Sequence, residues 1–468
     1  IAEGAKRNIG LMFDMVFNHT STSHEWFRRA LAGEKKYQDY YIFKEGAPDQ
    51  PPTNWQSKFG GSAWEYVSSL GKWYLHLFDV TQADLNWKNP EVREELKEVI
   101  RFWKAKGVKG FRFDVVNLIS KPEIWEDDFE GDGRKFYTDG PYVHEYLKEL
   151  VRDTGIEDYV TVGEMSSTTL EHCIRYSGAE EKELSMCFNF HHLKVDYKDG
   201  NKWELMEPDY MELKVIFEKW QMGMQRGNAW NALFWCNHDQ PRIVSRFGNE
   251  GEYWKESAKM LAGMIHLMRG TPYIYQGEEI GMTNPHYTSI EQYADVESRN
   301  YYEILLNEGK TKEEALEILA ARSRDNSRTP MQWTDERYCG FSDTKPWIPV
   351  SDNFEKINVK KQKQDRDSIL EFYKKLIMLR KEKEVIARGN IEFMEVENAG
   401  VLAYTRCLDK QKLLVCCNFR DVESQMEFTQ EWKSGRKILG NYEENHKNNY
   451  KVLTLRPYEI IVLEKGEE

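Results

Sequence analysis

Four short stretches of the chain place carboxylates, histidines and one arginine where an apolar run ends. "DMVFNHTS" (14–21) carries Asp14, Asn18 and His19, and "GFRFDVVNLI" (110–119) carries Arg112 and Asp114. "TVGEM" (161–165) carries Glu164, and "FWCNHDQPR" (234–242) carries Asn237, His238 and Asp239. Residues two apart on a strand share a face, so Arg112 and Asp114 project the same way. Charges this dense destabilise an apolar setting unless they are paired and used. One such residue would pass as a structural ion pair; four strand ends of this kind point to chemistry.

Three carboxylates, an adjacent arginine and two histidines fit the cleavage of a glycosidic bond. One carboxylate attacks the anomeric carbon while another, protonated, delivers its proton to the leaving oxygen. An arginine beside the nucleophile keeps it ionised. The acid needs a raised pKa, which burial and neighbouring negative charge favour. Divalent-metal chemistry competes, because Asp, Glu and His also bind cations. Arg112 beside Asp114 argues against a cation there, and no metal or cofactor is expected.

The elements that must position these groups alternate between strand-like and helical runs. Strands are predicted at 9–17, 108–116, 159–165, 184–190, 231–237 and 272–277. The clearest helix is "NPEVREELKEVIRFWKAKG" (89–107), with Asn89 as cap, Pro90 in the first turn and Gly107 as stop. Val92, Leu96, Val99 and Trp103 recur on it at helical spacing. Such alternation builds a parallel sheet with helices outside it, an α/β fold. About six strand–helix units fit a (β/α)₈ barrel, which needs eight. The opening "IAEGAKRNIG" reads as the end of a helix, so the first two units would precede Ile1, an N-terminal truncation. In a barrel the C-terminal strand ends converge on one mouth, where these polar residues would meet.

Residues 1–19 and 80–385 form the expected catalytic barrel. A Trp- and Tyr-rich domain (20–79) follows the first strand seen here, and a second insertion spans 283–365. From 386 to 468 the pattern changes to an antiparallel β-domain, with "GVLAYTRCL" (400–408), "KLLVCCNF" (412–419) and "YKVLTLRPYEIIVLEK" (450–465). Trp55, Trp64 and Trp73 are expected in the core of the inserted domain rather than on a sugar.

The 468 residues are 40% hydrophobic and 31% charged, enough for two or three domains. Lys+Arg 65 against Asp+Glu 78 gives −13, which argues against nucleic-acid binding. No apolar run reaches the roughly 20 residues of a membrane span. Seven cysteines without CxxC spacing fit free thiols in a reducing compartment. The expectation is a cytoplasmic, monomeric protein acting on a small molecule, with no membrane partner.

The four stretches, in this order and spacing, resemble the four signature regions of the α-amylase family, and the resemblance covers essentially the whole chain. It implies that Asp114 is the nucleophile, Glu164 the general acid/base and Asp239 the transition-state stabiliser. Asp14, His19, Arg112 and His238 would hold the sugar at the cleavage subsite. Arg328 in "SRDNSRTPMQW" would help close it. The inserted domain would follow the third barrel strand. Retaining chemistry requires the two carboxyls roughly 5–5.5 Å apart.

"QADLNW" (82–87) and Val115 resemble the branch of this family that accepts short oligosaccharides. The segments 127–150, 161–177, 188–197 and 236–248 resemble members that hydrolyse trehalose 6-phosphate to glucose and glucose 6-phosphate. The alternative within the same chemistry is an oligo-1,6-glucosidase acting on isomaltose-type sugars, which more often has proline at the position of Ala83. A non-catalytic, transporter-associated relative is disfavoured by the intact carboxylates. A phosphorylated sugar needs cations or N–H groups around its phosphate. "HHLKVDYKDGNKW" (191–203) offers them, with His192, Lys194 and Lys202 as the phosphate candidates beside His191 and Lys198. Arg134 and Lys135 are weaker candidates.

Overall fold

The computed structural model describes residues 1–427, 429–443 and 452–465. The chain divides into two compact units. The first comprises 1–190 and 226–231, the second 191–225 and 232–468.

In the first unit, four parallel strands lie side by side in chain order: β1 (Met12–Met15), β2 (Gly110–Phe113), β3 (Val160–Glu164) and β4 (Met186–Phe188). A parallel bridge from Cys187 to Asn231 adds a fifth segment. In the second unit, β5 (Ala232–Leu233) pairs parallel with β6 (Thr271–Pro272). The first five strands each fall inside an expected run but are shorter than it; β6 starts one residue before its expected run, 272–277, and shares only Pro272 with it. The C-terminal residues of each run leave the hydrogen-bonded ladder, and Pro272 has no N–H to extend β6.

Helices separate the strands, as parallel pairing requires. The helix Pro90–Ala105 begins where expected: Asn89 Oδ1 accepts from the Glu91 N–H at 2.9 Å. Its buried face is Val92, Leu96, Lys97 and Ile100. Val99, expected on that face, is exposed instead. Lys97 takes buried ground because its ammonium is paired with Glu149 at 2.7 Å and Asp153 at 2.8 Å.

The segment after β1 forms a three-stranded antiparallel sheet in the order Phe43–Glu45, Lys72–Leu75, Trp64–Val67. Trp55, Trp64 and Trp73 are buried in its core with Leu75, Leu77 and Tyr137. This domain is fastened through Asp84, which is fully buried. Its Oδ1 accepts from the Leu77 N–H at 3.0 Å, and its Oδ2 from Asn18 Nδ2 at 3.0 Å. The Lys121 ammonium lies 2.8 Å from Asp84, 2.8 Å from Asn18 Oδ1 and 2.6 Å from the Leu118 carbonyl. Burial pushes Lys121 below the ordinary lysine range, and Asp84 opposes that push.

In the second unit, the helices Val296–Asn307 and Lys312–Arg322 pack around Tyr293, Tyr302, Ile318 and Leu319. The C-terminal region is a five-stranded antiparallel sheet in the order Asn390–Met394, Val401–Leu408, Gln411–Asn418, Ile460–Glu464, Arg436–Gly440. Tyr450, Lys451 and the tail beyond Lys465 lie outside the described residues. Buried Tyr404 and Arg406 dock this sheet onto the helix Trp254–His266. Tyr404 Oη donates to the Met264 carbonyl at 2.7 Å, and Arg406 to the Leu267 carbonyl at 2.6 Å. All seven cysteines are free. Among the described residues, no helix is long and apolar enough to cross a membrane.

Removing one partner of a buried ion pair leaves an uncompensated charge. Asp84→Asn should therefore destabilise the first unit by about 3–5 kcal/mol, read from chemical denaturation. A loss below about 1 kcal/mol would contradict the fastening role of this pair.

Candidate active site

Parallel register puts Asp14 beside Arg112, and Arg112 beside Val162, two residues before Glu164. Three strand ends thus converge on one guanidinium. Arg112 Nη1 donates to Asp14 at 2.6 and 2.7 Å and to Asp114 Oδ1 at 2.7 Å. Arg112 Nη2 donates to Glu164 Oε2. Glu164 is buried, Asp114 half-buried, and Asp14 exposed. Burial draws the Arg112 guanidinium down, but Asp114 and Asp14 outweigh it and hold its pKa above the ordinary value. The cation is therefore permanent. It bridges Asp114 and Glu164.

His19 is buried beside this cluster. Its Nδ1 lies 3.3 Å from Asn18 Nδ2 and its Nε2 3.0 Å from Gln82 Nε2, and its ring packs on Phe78 at 5.3 Å. Burial lowers its pKa against the pull of Asp84 and Asp114, so the imidazole is neutral at neutral pH. The chain leaves β2 through Val115, whose φ of +36° and ψ of +39° lie in the left-handed region. A β-branched residue held there stores on the order of 1–3 kcal/mol of strain.

In the second unit, the end of β5 leads to exposed His238 and half-buried Asp239. Arg328 donates to Asp239 Oδ1 at 2.6 Å and, through Nε, to the His238 carbonyl at 2.8 Å. Arg324 lies 3.4 Å from the same Oδ1, and His238 Nε2 lies 3.7 Å from Oδ2. Burial raises the Asp239 carboxyl, but Arg324, His238 and Arg328 overcome it and hold the pKa at about 2. Since this lies below the unfolded value, the group favours the folded state above the ordinary carboxylate range. That contribution fades as pH falls towards about 2.

Sequence reasoning singled out Asp239 and Arg328 but missed Arg324 and Glu297. Arg324 donates to Glu297 Oε2 at 2.9 Å, and Lys202 pairs with the same oxygen at 2.8 Å. Lys202, Glu297, Arg324 and Asp239 therefore form a chain of alternating charge. Arg324 was visible four residues before Arg328 in one motif; Glu297 had no local signal. The other phosphate candidates separate. His192 is buried among Phe217, Phe234 and Trp235, with Nε2 2.9 Å from the Phe234 carbonyl, and burial lowers its pKa to about 4. It is a neutral core residue at neutral pH. Lys194 is exposed. Arg134 is paired with Asp132, and Lys135 with Asp128. No group of side chains among the described residues is arranged to hold a metal ion.

Residues 1–389 match the family described as alpha amylase, catalytic domain, and residues 391–462 match the maltogenic amylase C-terminal domain. The chain belongs to the α-amylase family. It is a glycoside hydrolase of this retaining family. It is 51% identical to the trehalose-6-phosphate hydrolase of Escherichia coli, over 98% of this chain and 84% of that protein. It is 44% identical to the oligo-1,6-glucosidase of Bacillus cereus, over 98% and 83% respectively. The crystal structure of Bacillus licheniformis trehalose-6-phosphate hydrolase in complex with PNG superimposes with a TM-score of 0.95 at 50% identity. That match covers 100% of this chain and 85% of the other.

Removing Arg324 leaves less positive charge to oppose the burial of Asp239. Arg324→Met should raise the pKa of the Asp239 carboxyl by about one to two units, read by NMR titration of that carboxyl. An Asp239 pKa unchanged from the parent would contradict this electrostatic assignment.

Proposed function

We propose that the protein hydrolyses trehalose 6-phosphate to glucose and glucose 6-phosphate by a two-step retaining mechanism. Asp114, hydrogen-bonded by Arg112, attacks the anomeric carbon of the unphosphorylated glucose. Glu164 gives its proton to the bridging oxygen, that bond breaks, and glucose 6-phosphate leaves. Glu164, now a carboxylate, takes a proton from water. The water oxygen attacks the anomeric carbon, frees glucose and restores Asp114. Asp239, ionised across the working pH range, stabilises the positive charge that develops on the sugar. Asp14, His19, Arg112, His238 and Arg328 hold the sugar in the cleavage subsite. The barrel segments, the inserted domain 20–79 and the β-domain 386–468 are part of the same reading.

The observation that carries the choice of substrate is the higher identity to trehalose-6-phosphate hydrolases, 50–51%, than to the oligo-1,6-glucosidase of Bacillus cereus, 44%. The cations near Asp239 add chemical support. Lys202 is three ion pairs from Asp239, through Glu297 and Arg324, and Lys194 lies on the same segment. These two lysines are proposed to meet the phosphate. His192, buried and neutral, supports that segment from beneath.

The direct test is parallel assay on trehalose 6-phosphate and isomaltose. Turnover of trehalose 6-phosphate is expected to dominate; glucose release from isomaltose alone would contradict the proposal. Lys194→Ala with Lys202→Ala should raise KM for trehalose 6-phosphate about 10- to 100-fold, on the scale of one or two charge-assisted contacts, with a smaller effect on kcat. An unchanged KM would remove these lysines from the phosphate site.

A further inference from the structure

Two strained exits flank the carboxylate pair. The chain leaves the Asp114 strand through Val115 at φ +36° and passes Glu164 into Ser167 at φ +55°. Asn117, fully buried, joins the two exits. Its Nδ2 donates to the Ser166 carbonyl at 2.9 Å, and its Oδ1 accepts from the Ser166 N–H at 2.9 Å. One side-chain amide thus satisfies both polar groups of a backbone unit two residues beyond Glu164.

A second layer fixes the amide. Asn117 Nδ2 also donates to Asp139 Oδ1 at 3.1 Å, and the Asp139 N–H donates to the Asn117 carbonyl at 2.9 Å. Asp139 Oδ1 further accepts from the Tyr176 hydroxyl at 2.7 Å, and Oδ2 from the Thr168 hydroxyl at 2.9 Å. Asp139 itself has φ +50°. Three residues in left-handed backbone are therefore tied to one buried polar network.

We propose that Asn117, held by Asp139, is a positioning residue that sets where Glu164 stands relative to Asp114. The inference rests on the roles proposed above for those two carboxylates. Its chemistry requires an amide. The Ser166 carbonyl needs a donor and the Ser166 N–H an acceptor, and only a carboxamide offers both in one plane. An aspartate at 117 would turn an oxygen toward the Ser166 carbonyl and toward Asp139, and both contacts would become repulsive. A buried asparagine that only satisfied backbone groups would stabilise the fold without favouring one catalytic step. The two roles separate by leaving group. Displacing Glu164 weakens proton donation, which matters for a sugar leaving group and little for an acidic phenol.

The test uses Asn117→Asp and, as a gentler change, Asp139→Asn, with Glu164→Gln as the reference for complete loss of the acid. Asn117→Asp should lower kcat on trehalose 6-phosphate about 100-fold, the scale of a misplaced catalytic group, with KM within about twofold. On an aryl α-glucoside with an acidic phenol, kcat/KM, which reports bond formation to Asp114 and not the base-assisted second step, should fall less than about 10-fold, as Glu164→Gln spares that first step. Asp139→Asn should show the same bias at about 10-fold on trehalose 6-phosphate. Equal losses on both substrates, or no loss, in whichever variant folds would overturn the positioning role. If Glu164→Gln itself keeps full activity on trehalose 6-phosphate, the assignment of the acid fails first, and the inference falls with it.

Discussion

The guanidinium of Arg112 is the contact on which the catalytic half of the first unit depends. Three carboxyl groups from three neighbouring strands converge on it. With it, Asp14, Asp114 and Glu164 share one permanent cation, and the register of three parallel strands is tied to their charges. Such an arrangement contributes little to stability, because desolvating the ions offsets much of their attraction. It specifies geometry instead. A one-residue slip of β2 against its neighbours would turn Arg112 to the opposite face and leave the carboxylates unpaired.

The second unit applies the same rule with the signs exchanged. Around Asp239 the cations outnumber the anion, and the carboxyl stays charged to about pH 2 despite its burial. From Asp239 the pairing continues through Arg324 and Glu297 to Lys202, and Arg328 also meets Asp295 at 3.5 Å. The two units therefore hold complementary electrostatics. One centres carboxylates on an arginine; the other centres arginines on a carboxylate.

Much of this was legible in the sequence, for reasons that can be named. Apolar runs closed by polar residues marked β1, β2, β3 and β5. Asn89, Pro90 and Gly107 marked a helix because capping chemistry is local. Trp55, Trp64 and Trp73 were expected in a core and lie in one. Strand lengths were overestimated, because composition does not say where a chain leaves its ladder. Val99 matched helical spacing yet is exposed, because distant Glu149 and Asp153 let Lys97 occupy the buried face. His192 lay in a basic segment, but the aromatic residues around it come from 217 to 235, and they make it a core residue. Glu297 and Asp139 were invisible for the same reason. Their partners lie 22 to 95 residues away, and no local pattern records such pairs.

The central claim is that Asp114 forms the bond to the sugar. The most direct measurement is trapping that bond. In Glu164→Gln, an aryl α-glucoside with an acidic phenol can still form the ester between Asp114 and the anomeric carbon, while its hydrolysis lacks a base. Acid quench, proteolysis and mass spectrometry should then show one added glucosyl group on the peptide containing Asp114. A glucosyl group on another carboxylate, or turnover with no adduct on any peptide, would contradict the account.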